Sequence, residues 1–189
     1  MLVDRIKGLI KQPKAEWEAI AAEPADNMAL YKSYAMPLAA IGPLASVVGL
    51  SMVGVEVPGV GTVRLGFFSA LGGGLLGYVL GLVGVYVVAL IIDALAPTFE
   101  ARKDPGQALK VSIYAATPGW LAGIFQIIPS ALGLLSLLVT IYGVYLLYLG
   151  LQAGMKAPKE KALAYTALVI LAAVLIMLAI GALTGLLLR

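Results

Sequence analysis

"VSIYAATPGWLAGIFQIIPSALGLLSLLVTIYGVYLLYLGLQAGM", residues 111 to 155, contains no charged side chain. A hydrocarbon core of about 30 Å is crossed by about 20 helical residues, so this stretch is too long for one span and long enough for two. It divides at "IIPSALG", residues 127 to 133, where Pro129 and Ser130 predict a tight turn and Pro129 can open the next helix. Reading two crossings here, not one, sets which side of a membrane every later residue faces.

The other charge-free runs, at 33 to 55, 65 to 92 and 162 to 188, each accommodate one crossing. Five spans are therefore predicted, at about 34–54, 66–92, 108–128, 131–151 and 163–186. The apolar runs are unbroken and do not alternate with polar residues, so helices that satisfy their own backbone groups are expected, not barrel strands. Composition agrees: 61% of the 189 residues are hydrophobic and 12% are charged, with a mean hydropathy of +1.00, far from a soluble globular domain. The expected fold is all-α: a polytopic membrane protein with a bundle of five transmembrane helices and a short N-terminal amphipathic segment. The chain divides into a cytoplasmic segment, 1–30, and a transmembrane domain, 31–189.

Basic residues orient the bundle. Arg5, Lys7, Lys11, Lys14 and Lys32 precede the first span, Arg102, Lys103 and Lys110 surround the entry to the third, and Lys156, Lys159 and Lys161 precede the fifth. These eleven of the 13 Lys and Arg residues share one side in a five-span topology, leaving Arg64 and Arg189 on the other. The positive-inside bias predicts a cytoplasmic N-terminus and an external C-terminus. No cleavable signal peptide is expected, because residues 1 to 30 lack a continuous apolar core and a small-residue cleavage pattern. The net charge of +3 follows topology, so a lipid bilayer and not nucleic acid is the expected partner.

Within residues 1 to 30, Leu2, Ile6, Leu9 and Ile10 recur at helical spacing against Asp4, Arg5, Lys7 and Lys11, and Pro13 can start a second helix carrying Trp17 and Ile20 on one side. The pattern suits a helix pair in the cytoplasmic interface with Trp17 as the interfacial anchor. Packing on the bundle's own loops would bury the same residues.

In the second span, Gly73, Gly77 and Gly81 lie four apart, with Gly66, Gly74 and Gly84 nearby, and Gly181 and Gly185 repeat the spacing in the fifth. Small residues let membrane helices approach closely, so helix packing within one subunit is expected at these positions. A homodimer seam, or the lining of a permeation path, would use the same feature.

The third span carries the candidate site. Asp104 followed by Pro105 reads as an N-cap with proline at the first helical position. Gln107, Lys110, Tyr114 and Thr117 then stack down one face, ending at Pro118, which removes a backbone hydrogen bond inside the helix and predicts a kink. Asp93, at the end of the second span, is expensive near a membrane unless hydrated or paired, and Lys110, Arg102 and Lys103 are its expected partners. Together these residues predict a polar cleft on the cytoplasmic side, in which Asp93 pairs with Lys110 and Tyr114 and Thr117 lead toward Pro118. A packing kink without a cleft is the other reading of the same spacing.

Catalytic constellations are not found. The absence of histidine and cysteine excludes histidine-based triads, thiol chemistry and thiolate metal sites. "GGGLLG", residues 72 to 77, lacks the lysine and hydroxyl residue of a phosphate loop. No motif calls for a cofactor or a metal, and no enzymatic activity is expected.

The order of "RIKGLIKQPKAEW", "YKSYAMPLAAIGPLASVVG", "ALIIDALAPTF", "QALKVSIYAATPGWLAGIFQIIP" and "YGVYLLYLGLQAGMKAPKEKALAYT" resembles the Yip family of multi-pass membrane proteins in its prokaryotic branch, over about residues 2 to 170. The resemblance implies a five-helix membrane domain with a cytoplasmic N-terminus, and matches Trp17, Tyr34, Pro37, Asp93, Phe99, Tyr114, Pro118 and Pro129 to family motif positions. Eukaryotic members are associated with Rab-type GTPases, vesicle traffic and membrane shaping. Two function classes follow: a non-enzymatic membrane module that binds or organises protein or lipid partners, as a homo-oligomer or with a membrane-protein partner, or a small transporter or channel built on the kinked third helix.

Overall fold

The computed structural model describes residues 2–128 and 133–187. Two short helices come first, α1 (Leu2–Lys11) and α2 (Pro13–Ala22), separated by Gln12. Pro13 opens α2 because the first helical N–H has no intrahelical acceptor to lose. Asp26 then accepts a hydrogen bond from the Ala29 backbone N–H at 2.9 Å and starts a helical run, α3 (Asn27–Val53).

Two π-helical turns interrupt α3, at Tyr31–Ala35 and Gly49–Val53. Pro37 and Pro43 lie in this run, and each removes one donor from the ladder, so regular α-helical pairing cannot continue unbroken. The first π turn carries Tyr31, which donates to the Leu82 carbonyl, and Tyr34, which meets Thr117.

Beyond α3 the chain makes an antiparallel hairpin, β1 (Val55–Val57) and β2 (Gly61–Val63), with Val55 opposite Val63. This short hairpin is a connection within an otherwise all-α architecture. Gly59 and Gly61 take φ of 81° and 91°, a left-handed region that costs glycine little and lets so short a connection reverse. The helices α4 (Phe67–Leu95), α5 (Pro105–Ala122), α6 (Gly133–Ala153) and α7 (Lys159–Leu187) follow, with 3-10 turns at Ala96–Phe99 and Gly123–Ile127. The turn expected at Pro129 and Ser130 lies outside the described residues.

The protein is a polytopic membrane protein of several long apolar helices. Among the described residues, three helices are long and apolar enough to cross a bilayer: Asn27–Val53, Phe67–Phe99 and Lys159–Leu186. The helices in the third and fourth predicted spans differ. Residues Leu138–Ala153 of α6 form a shorter apolar helix, and α5 is enclosed by protein, flanked by α4 and α6. Residues 108 to 114 of α5 are all buried, and Ser112 donates to the Val85 carbonyl of α4 at 2.7 Å. α5 is therefore the axis of the bundle, with α4 and α7 presenting apolar side chains outward, among them Phe68, Leu75, Leu175 and Met177.

The glycine rows require a correction. A Cβ added at Gly77, Gly81, Gly181 or Gly185 would meet nothing within 4 Å, so these four make no close helix contact among the described residues. The close approaches on α4 come at other levels of the same face, one turn before Gly77 and one turn after Gly81. A Cβ at Gly74 would lie 2.8 Å from Val47 Cγ2, and one at Gly84 would lie 3.0 Å from Ile180 Cδ1. Four-residue spacing marks a row of small residues, but the neighbouring helices decide which levels of that row are covered. Gly73, beside Gly74, is half-buried.

Candidate functional site

Asp104 accepts from the Gln107 backbone N–H at 3.1 Å and caps α5, fixing the register of the helix that carries the polar stripe. From that start Gln107, Lys110, Tyr114 and Thr117 lie along one side, and the surface they meet is the N-terminal helical hairpin together with α3.

The last carbonyls of α2 have no intrahelical donors, and a positive charge at that helix end is favourable. Lys110 supplies both needs. Its Nζ donates to the Ile20 carbonyl at 2.9 Å and to the Glu23 carbonyl at 2.5 Å, while the side chain is 4% exposed. Gln107 Nε2 donates to the Ala21 carbonyl at 3.1 Å, and its Oε1 is buried without a partner.

Above this contact Arg5 donates to Glu16 Oε1 at 2.5 Å and to Glu23, and its guanidinium lies 5.7 Å from the centre of the Tyr114 ring. Burial works to lower the Arg5 pKa, but the hydrogen bonds it donates to Glu23 and Glu16 and the charge interaction with Tyr114 outweigh it and hold it above its ordinary value. Tyr114 is packed edge-on by Tyr34, with ring centres 4.8 Å apart, and by Trp17 at 6.1 Å. Tyr34 and Thr117 share a hydrogen bond of 2.9 Å between their hydroxyls, closing the stripe.

Trp17 is not an interfacial anchor in this arrangement. It is 1% exposed and sits over Gly150 of α6, where an added Cβ would come 2.7 Å from the indole Cη2. The bare backbone at Gly150 makes room for the ring, so α2 docks on the bundle through Trp17.

Where hairpin, α3 and α5 converge, a cavity of about 290 Å³ remains, lined by Arg5, Glu23, Asp26, Asn27, Lys110 and Tyr114 among others. It carries both signs of charge. The cations already hold acceptors of the protein itself, which suits a fixed polar socket more than a conduit.

Asp93 lies elsewhere. The expected Asp93–Lys110 pair is not formed: Lys110 is taken by the α2 carbonyls, and Asp93, 8% exposed, has Oδ1 buried without a hydrogen-bond partner. Its surroundings are those of Tyr165, on which it acts electrostatically and whose hydroxyl donates to the Ile92 carbonyl while its ring stacks on Phe99 at 4.7 Å. Pro118 also leaves the polar group, lining an apolar groove between α5 and α6. Sequence reasoning did not place Arg5, Glu16 and Glu23 in the site, and Tyr34 entered it only as a position matched by the family resemblance. The opposite charges on two short helices separated by Gln12 and Pro13 were the available signal for the first three.

Among the described residues no group of three or more His, Cys, Asp or Glu side chains is arranged to hold a metal ion.

The Yip1 domain family model matches residues 7–181. Inner membrane protein YohC of Escherichia coli strain K12 is similar, with 27% identity over 185 residues, 96% of this chain and 94% of that protein. The protein of the same name from Escherichia coli O6:H1 matches with the same figures. No solved structure matches.

Proposed function

The chain belongs to the Yip1 domain family, and from that premise we propose that this non-enzymatic polytopic membrane protein works as a binding and organising module at the cytoplasmic face of a bacterial inner membrane. In this reading residues 1–30 are the cytoplasmic segment and residues 31–189 cross five times, with the N-terminus inside and the C-terminus outside. Support comes from where the basic segments meet. Arg102 N–H donates to the Met155 carbonyl at 2.7 Å and Lys161 pairs with Glu100 at 2.6 Å, joining the two basic loops, while the N-terminal hairpin docks on the same end of α5. Arg64 belongs to the opposite end, beside the β hairpin, where it donates to the Val53 carbonyl.

The observation that carries the functional reading is the occupation of the α5 stripe. Lys110 and Gln107 spend their donors on α2, Thr117 spends its hydroxyl on Tyr34, and past Thr117 the space along α5 is apolar. A small transporter needs polar groups that continue through the bilayer and change partners. A folded hairpin with a mixed-charge socket at its edge instead presents a fixed surface to a partner. A photo-crosslinking amino acid at Asp26 or Asn27, on the socket's rim, should give discrete adducts in living cells, whereas the same probe at lipid-facing Leu75 should not. Purified protein in liposomes should show solute flux at background. Substrate-dependent flux, with no adduct from the rim, would replace binding by transport.

A further inference from the structure

We propose that the apolar groove between α1, α5 and α6 holds one acyl chain of an anionic phospholipid, with its headgroup taken by Lys11 and Lys14. The inference deepens the binding role above and rests on the N-terminal hairpin lying at the cytoplasmic membrane face.

The groove has a local cause. α5 and α6 touch closely at one level, where a Cβ added at Gly143 would lie 3.4 Å from the Ala115 carbonyl. Within one turn α5 reaches Pro118, and from Gly123 it tightens into a 3-10 turn. Beyond Pro118 the two helices leave a space of about 480 Å³ with walls from Leu121 and Phe125 of α5, Leu138 and Tyr142 of α6, and Leu9 and Ile10 of α1.

Its chemistry excludes a polar occupant. The Thr117 hydroxyl is committed to Tyr34, and the Tyr142 hydroxyl donates to the Leu9 carbonyl at 2.6 Å, so the lining offers almost nothing to water. Its shape fits a chain. From Thr117 to Phe125 the wall runs about 12 Å along the helix axis, on the order of ten methylenes. Phe125 and Leu138 are 42% and 58% exposed, which opens the groove sideways, toward lipid in a membrane protein.

The headgroup end follows from α1. Tyr142 holds the last carbonyls of α1 beside the groove that Leu9 and Ile10 line, and Lys11 is the next residue of the chain, with Lys14 three further on. Both lysines are exposed, and neither enters an ion pair among the described residues, in contrast to Arg5, whose charge is spent on Glu16 and Glu23. Two free ammonium groups above an apolar slot complement a phosphate carried on an alkyl tail.

The test uses the full chain in vesicles containing tracer phosphatidylglycerol with a photoactivatable group in its tail, against phosphatidylcholine with the same tail. Irradiation and peptide mapping should find phosphatidylglycerol on residues 117–125 and 138–146, at about fivefold or more over phosphatidylcholine. Lys11→Gln with Lys14→Gln should erase that preference. Leu121→Trp, or Val139→Phe from the opposite wall if the first does not fold, should lower groove labelling several-fold and leave labelling of lipid-facing residues 171–178 unchanged. Equal labelling by the two tracers, or groove labelling indifferent to both filling substitutions, overturns the proposal. External labelling of a cysteine at Gln12 would instead overturn the topology beneath it.

Discussion

A lysine ammonium withdrawn from water must be given acceptors in return, and for Lys110 these are the carbonyls of Ile20 and Glu23. Lys110→Met leaves those carbonyls without their donor, so it should cost about 1–3 kcal/mol in denaturation of the detergent-solubilised protein. Asp93→Asn should cost less, because the buried Oδ1 has no hydrogen bond to lose. The double substitution should equal the sum of the two within about 0.5 kcal/mol, as for separate sites. A larger coupling would restore a direct Asp93–Lys110 interaction. At Gly150 the prediction is steric: Gly150→Ala puts a methyl group against Trp17 and should destabilise by about 1–3 kcal/mol, read as a lowered melting temperature.

At the scale of elements, α4 shows how glycines on one helix face have different uses at different levels. Gly84 faces Ile180 and Ile176 of α7, so Gly84→Leu should destabilise the α4–α7 pair by about 1–3 kcal/mol. Gly77→Leu projects into open space on the same helix and should leave monomer stability unchanged within about 0.5 kcal/mol. Thermal unfolding of the two variants side by side decides this. Loss of a larger species on a sizing column with Gly77→Leu alone would make the open level a contact between copies. The N-terminal hairpin is the other element whose role depends on its contacts. Its amphipathic pattern suits a membrane interface, yet Leu9, Trp17 and Ile20 are buried against the bundle, because α5 and α6 offer it a lysine, a glutamine and a bare glycine.

For the whole molecule, the five-crossing topology predicts that single cysteines in this cysteine-free chain label from the cytoplasm at Gln12, Lys103 and Lys159, and from outside at Val60. Protection at Val60 in intact cells, or external labelling at Lys103, would break it. The residues that specify the long helices are local. A bilayer accepts an uncharged stretch and requires its backbone to bond within itself, so the charge-free runs of the sequence locate α3, α4, α6 and α7 to within a few residues at most of their ends. Asp104 and Pro105 locate the start of α5 in the same way, through groups that act within one helical turn. The short β hairpin was less legible, since three-residue strands give almost no alternation to read. Which faces meet was not legible at all. Lys110 and Ile20 are ninety positions apart, Tyr34 and Thr117 eighty-three, and each of these contacts exists because the bundle has already brought two helices together. The sequence by itself determined the membrane class, the helical runs and the polar stripe on α5. Only the tertiary structure decided that the stripe binds the N-terminal hairpin and leaves Asp93 aside, because a side chain's partner is selected by long-range packing, whereas its helix is selected by its neighbours and its solvent.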